Sequence, residues 1–125
     1  MHIEFLHHVS VCVTDLDRAR AFYGELLGLT EVHRPITAFA GAWYQLGDRQ
    51  VHLIVHESPR TLRGTTDIDG RDGHFAFRVH DYDETVAYLR ARQVPFWEHR
   101  ENVTPWAQIF VTDPDGNVLE FNTER

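Results

Sequence analysis

Cysteine is nearly absent: Cys12 is the only one in 125 residues. An intrachain disulfide and a thiolate zinc knuckle are thereby excluded, so any metal must be held by histidine and carboxylate. Positive charge is also scarce, with 12 Lys and Arg against 19 Asp and Glu, a net charge of −7 and a pI near 5.6. Phosphate-backbone binding needs a concentrated basic face. The one local basic cluster, Arg60, Arg63 and Arg71, is interleaved with Asp67, Asp69 and Asp72, so nucleic acid is not an expected partner. Long apolar runs are missing too. The stretch Val51 to Val55, with His52 inside it, falls far short of the roughly 20 residues a membrane-spanning helix needs, and no membrane partner is expected. Met1-His2-Ile3-Glu4 does not open a basic segment followed by an apolar stretch and a cleavage site, so the expected location is the cytoplasm.

What the chain does have is an internal repeat. His8-Val9-Ser10-Val11-Cys12-Val13-Thr14-Asp15 lines up with His74-Phe75-Ala76-Phe77-Arg78-Val79-His80-Asp81 at an offset of 66 residues, and Ala21-Phe22 then falls on Ala87-Tyr88 without a gap. The expected organisation is one domain, residues 1–125, made of module one (1–57), a linker rich in Arg, Asp, Thr and Gly (58–72) and module two (73–125).

Local patterns assign the same elements to each module. From Phe5 to Val13 apolar and polar residues alternate, which is the period of a strand with one polar face. Asp15 then caps a helix whose Leu16, Ala19, Phe22, Tyr23, Leu26 and Leu27 recur at helical spacing, stopped by Gly28. In module two Asp81 caps a helix carried by Val86, Tyr88, Leu89 and Ala91. A strand follows each helix (29–33 and 95–98). A hairpin ends each module: 42–46 with 50–56 through Gly47-Asp48, and 107–112 with 118–122 through Asp113-Pro114-Asp115-Gly116. The fold class predicted is α+β, two βαβββ modules whose curved mixed sheets surround a cavity lined by their polar faces.

The faces decide which side chains can do chemistry. Val9, Val11 and Val13, and equally Phe75, Phe77 and Val79, belong under the helices, which leaves His8 and His74 on the cavity side. Val51, Leu53 and Val55 make the apolar face of the last strand of module one, so His52 is on the other. Leu119 and Phe121 do the same in module two, so Glu120 projects into the cavity. Each residue alone is unremarkable, since a strand histidine or glutamate is usually solvated or hydrogen-bonded. Four ligand types at equivalent places of a repeat point instead to one divalent metal ion (Zn, Ni, Co, Mn or Fe), with coordination positions left for water or substrate.

The runs Leu6-His7-His8-Val9-Ser10-Val11, Asp15-Leu16-Asp17-Arg18-Ala19, Phe22-Tyr23 and Leu27-Gly28-Leu29 resemble the opening of the glyoxalase, bleomycin-resistance and extradiol-dioxygenase superfamily, the vicinal oxygen chelate proteins. The closing run from Phe110 to Phe121, through Asp113-Pro114-Asp115-Gly116, does so as well. The resemblance spans essentially the whole chain. It implies metal ligands on the first and last strands of each module, matching His8, His52, His74 and Glu120. Bacterial glyoxalase I generally has a carboxylate or amide where His52 stands, a departure here. His8, His74 and Glu120 also match the His, His, Glu triad of ring-cleaving dioxygenases and fosfomycin-modifying thiol transferases.

The function this implies is a metal-dependent lyase or isomerase of glyoxalase-like type. It would act on a small-molecule substrate bound through adjacent oxygens, with Glu120 as the catalytic proton carrier between neighbouring carbons. The alternatives are a metal-free, bleomycin-resistance-like binding protein and a dioxygenase or thiol transferase. Arg78, on the His74 face, is a candidate for a substrate carboxylate. Trp43 and Trp106 are candidates for the pocket wall, and Cys12 is read as structural. A homodimer is expected, because an exposed curved sheet needs covering.

Overall fold

A parallel strand pair opens and closes each half of the chain. In the computed structural model, which describes residues 1–36 and 38–125, two compact units cover residues 1–62 and 63–125. The first contains β1 (His8–Val13), α1 (Leu16–Arg20), a π-helical segment (Ala21–Leu26), β2 (Thr30–Val32), β3 (Gly41–Leu46) and β4 (Arg49–Val55). The second contains β5 (His74–Arg78), α2 (Tyr82–Ala91), β6 (Trp97–His99), β7 (Trp106–Thr112) and β8 (Val118–Glu124). Each unit has one four-stranded mixed sheet, ordered β1-β4-β3-β2 and β5-β8-β7-β6. The first strand pairs in parallel with the last, and the remaining neighbours are antiparallel. The α+β class and the repeated βαβββ unit are thus observed. No helix among the described residues is long and apolar enough to cross a membrane.

Strand alternation sets the burial. Val13, Ala42, Tyr44, Val51 and Leu53 are buried in the first unit, with Ala19, Phe22 and Tyr23 of the helical segment. Phe77, Ala107, Ile109, Val111, Leu119 and Phe121 are buried in the second, with Tyr82, Val86 and Leu89 of α2. Both helices start where an aspartate in extended conformation accepts a backbone N–H of the first turn: Asp15 from Arg18 at 3.0 Å and Asp81 from Glu84 at 2.8 Å.

Several boundaries differ from expectation for identifiable reasons. β1 begins at His8 and not at Phe5, because its partner β4 begins at Arg49 and the ladder has nothing to pair with before the Gln50 N–H to His7 carbonyl bond. The Arg49 guanidinium lies over the Phe5 ring instead, 4.3 Å from its centre. The first helix does not keep its 3.6-residue period. From Ala21 it widens, and the Leu27 N–H reaches the Phe22 carbonyl at 2.9 Å. The wider turn reduces the angle between neighbours, so that Phe22 and Tyr23 both face inward, leaving Leu26 and Leu27 half-buried. Tyr88 is on the solvent side of α2 under the Arg92 guanidinium, and Tyr82 takes the buried place. β6 starts at Trp97, beyond Pro95, which has no N–H to give to a ladder.

The turn between β7 and β8 is built on a buried carboxylate. Asp113 Oδ1 accepts the N–H groups of Asp115 and Asn117, both at 2.9 Å, and Oδ2 accepts Asn117 Nδ2 at 2.8 Å. Gly116 sits at φ +86, and a Cβ there would run into the Thr65 carbonyl oxygen. Asp113→Ala strips two part-buried N–H groups of their acceptor. It is expected to lower stability by about 2–4 kcal/mol, read from urea unfolding of the whole chain. A loss below about 0.5 kcal/mol, the scale of an ordinary surface change, would show that the turn does not depend on this carboxylate.

Candidate metal centre

The parallel pairing places two of the four expected ligands side by side in each unit. In the first, His8 is opposite Gln50 and Ser10 opposite His52, so His52 stands two residues beyond the partner of His8 on the same face. In the second, His74 is opposite Val118 and Ala76 opposite Glu120, so Glu120 stands two residues beyond the partner of His74. The same offset recurs in both units. Among the described residues no group of three or more His, Cys, Asp or Glu stands in metal-holding geometry; the four expected ligands are seen as two pairs, one in each unit.

His52 is buried and flanked by rings. The His8 imidazole stacks on it at 4.1 Å between centres, and the indole of Trp43, its direct opposite on β3, at 4.4 Å. Burial, followed by the neighbouring His8, His7 and Arg34, pushes its pKa down to about 4. It is therefore a neutral imidazole at ordinary pH, the form a metal binds. A chain of amides fixes its tautomer. Gln45 Nε2 donates to the Gly47 carbonyl and Gln50 Nε2 donates to Gln45 Oε1, both at 2.7 Å. Gln50 Oε1 is left to accept from His52 Nε2 at 2.7 Å, so the His52 lone pair is on Nδ1.

In the second unit Glu120 is buried, with Oε1 held by Asn122 Nδ2 at 2.8 Å. Its Oε2 is 3.1 Å from His74 Nε2. His74 Nδ1 donates to the Asp72 carbonyl at 2.8 Å, and the Phe110 ring meets the imidazole edge-on at 5.4 Å. At 3.1 Å the ring nitrogen and the carboxylate oxygen face one another, so two ligand atoms of different chemistry are held side by side. Neutral imidazole and carboxylate are the donor types a borderline divalent ion takes, and each unit carries a pair of ligand-type side chains.

The remaining candidates have other occupations. Arg78 shares the His74 face but pairs with Glu124 at 3.7 Å, both exposed, an arrangement worth little in stability. Trp43 packs on His52. Trp106 is half-buried at the start of β7, its carbonyl accepting Thr104 Oγ1 at 2.9 Å. Four partners escaped the sequence reading: Gln50, Asp72, Asn122 and Phe110. Gln50 and Asn122 had a usable signal, since each is two residues from a ligand type on the same strand and so shares its face.

The depressed His52 pKa gives a signed expectation. The unfolded chain takes up this proton near 6.5 and the fold only near 4, so the His52 contribution is complete above pH 6.5 and is lost as pH falls through that window. Urea unfolding should therefore show a steeper loss of stability between pH 6.5 and 4 in the metal-free wild type than in His52→Gln. Equal slopes would mean that the ring is not held neutral by the fold.

Comparison with known proteins bears on the family and the fold. The chain is 28% identical over 123 residues to Glyoxylase I 4 of Arabidopsis thaliana, covering 96% of this chain and 71% of that protein. It is 30% identical over 122 residues to Glutathione transferase FosA of Serratia marcescens, covering 96% and 81%. A solved glyoxalase family protein from Bacillus anthracis superposes with a TM-score of 0.84 at 26% identity, covering 100% of this chain and 98% of that one. A lactoylglutathione lyase from Agrobacterium tumefaciens superposes at 0.74 and 25% identity, covering 97% and 94%. The family model of the Glyoxalase/Bleomycin resistance protein/Dioxygenase superfamily matches residues 5–121. With nearly all of the sequence matched and the βαβββ unit present twice, the chain belongs to that superfamily.

Proposed function

We propose that the protein is a divalent-metal-dependent glyoxalase-like enzyme, a lyase or isomerase, with His8, His52, His74 and Glu120 as the ligands of the ion. The observation that carries this reading is the repeated register: each unit sets a histidine on its first strand beside a second ligand type two residues further along its last. Three neutral imidazoles and one carboxylate leave a divalent ion with a net charge near plus one, suited to zinc, nickel, cobalt, manganese or iron. Bound there, the ion would supply Lewis-acid stabilisation to two adjacent substrate oxygens.

The protein's own part in the reaction falls to Glu120. Asn122 fixes one carboxylate oxygen and leaves the other directed at His74, so the group is oriented yet has a lone pair to offer. In a glyoxalase-like isomerisation Glu120 takes the proton from one carbon of a thiohemiacetal and returns it to the neighbouring carbon, with no atom gained or lost. A homodimer, with a second copy covering the exposed sheet faces, belongs to the same proposal.

A second reading, a metal-dependent thiol transferase using His8, His74 and Glu120, is favoured by the 30% identity to Glutathione transferase FosA. The two separate by product: isomerisation of a thiohemiacetal gives a thioester, whereas transfer of the thiol to an acceptor gives a thioether.

The first test is the metal content of untagged protein purified without added metal, beside a His8→Ala, His74→Ala double variant. Near-stoichiometric metal that is lost in the double variant supports the reading. A wild type that carries none and takes up none on titration defeats it in favour of a metal-free binding protein. Glu120→Gln is then expected to lower turnover by a factor of about 100 or more, a larger loss than in metal affinity. Unchanged turnover removes Glu120 from the proton transfer.

A further inference from the structure

We infer that Arg63, in the segment between the two sheets' strands, is a positioning residue that aims His74 and fixes it relative to Glu120. The inference rests on the reading of these two residues as metal ligands. The Arg63 side chain is only 14% exposed, and its planar fork makes three bonds to three separate stretches of chain. Nε donates to Asp72 Oδ2 at 2.8 Å, Nη1 to the Gly116 carbonyl at 2.8 Å and Nη2 to the Asp67 carbonyl at 2.9 Å.

Two of those anchors have a particular meaning in the sheet. Asp72 is two residues before His74, and Gly116 is two residues before Val118, the register partner of His74. One guanidinium therefore spans the open end of the β5–β8 pair at the end that carries the ligand histidine. The backbone there has no slack. The chain at Thr65 is too close to Gly116 to admit a Cβ, and Thr112 Oγ1 donates to the Thr66 carbonyl at 3.0 Å, so the segment from Thr65 to Asp67 lies against the β7–β8 turn.

From Asp72 the constraint passes to the imidazole. The other carboxylate oxygen of Asp72 accepts the Gly73 N–H at 2.8 Å, which fixes the peptide between them. The Asp72 carbonyl then receives His74 Nδ1–H at 2.8 Å. A carbonyl only accepts, so the proton is on Nδ1 and Nε2 is the nitrogen turned toward Glu120 Oε2. Partners of this kind, which orient a ligand histidine through its other ring nitrogen, typically matter 10–100-fold in metal affinity.

The test uses the full chain and Co²⁺ as probe, with two readouts. One is the Co²⁺ dissociation constant and ligand-field spectrum; the other, needing no metal, is the ring ¹⁵N pattern of His74 above the histidine titration range. In Arg63→Ala the dissociation constant should rise about tenfold or more, and the ring should leave the Nδ1–H pattern. Arg63→Lys keeps the charge but loses the fork and should resemble Arg63→Ala more than wild type. Should Arg63→Ala fail to fold, Asp72→Asn decides by the same readouts, since it leaves the bonds to Gly116 and Asp67 in place. Wild-type affinity in a folded variant overturns the inference, as does weakened affinity with an unchanged ring pattern, which would mark a charge effect and not positioning. Absence of Co²⁺ binding by wild type, or binding indifferent to His74→Ala, defeats the metal reading instead; the ring pattern still decides whether Arg63 aims His74.

Discussion

The arrangement depends on one pairing, the parallel contact between the first and last strand of each βαβββ unit. Parallel strands cannot be joined by a tight turn, so the intervening helix and hairpin exist to bring the last strand back beside the first. That return makes residues more than 40 positions apart into neighbours, as His8 and His52, and His74 and Glu120, are. A slip of one residue in either pairing would turn one member of the pair to the opposite face and dismantle it. The buried aliphatic face of β4 and β8 prevents the slip, because Leu53 and Leu119 would have to leave the core.

The two pairs meet the cost of placing polar groups against a core in different ways. His52 is kept neutral and sandwiched, with its one N–H satisfied by Gln50, so little charge needs solvation. Glu120 carries its polarity into a buried place and relies on Asn122 and His74 for hydrogen bonds. The first pair thus offers a lone pair without charge, and the second offers the carboxylate. Of the four proposed ligands the one carboxylate is on β8. That asymmetry between otherwise equivalent positions is the physical ground for assigning proton transfer to Glu120 and not to His52.

Much of this was legible in the sequence, for a reason that can be stated. Alternation with period two tells which face a strand residue occupies without any knowledge of the partner strand, and the 66-residue repeat says which strands are equivalent. Together they suffice to put His8, His52, His74 and Glu120 on corresponding faces. They say nothing about long-range hydrogen bonds that do not follow the strand period. Asp72 acts through its backbone carbonyl, which any residue possesses, and Arg63 acts from a segment whose composition reads as a linker. The π-helical turn was hidden for a similar reason: Phe22 and Tyr23 fit a 3.6-residue pattern well enough, and only the need to bury both reveals the wider turn.

Family membership settles the fold but leaves the reaction open, since one scaffold with one ligand frame hosts lyases, transferases and binding proteins. What distinguishes them has to come from what surrounds the ligands. Here the last strand of module one presents an imidazole, His52, whose Nε2 is occupied by a glutamine, and whose faces are covered by Trp43 and His8. A ring so enclosed cannot swing to act as an acid or base, and with a pKa near 4 it has no proton to give at neutral pH. Its remaining chemical capacity is a fixed lone pair.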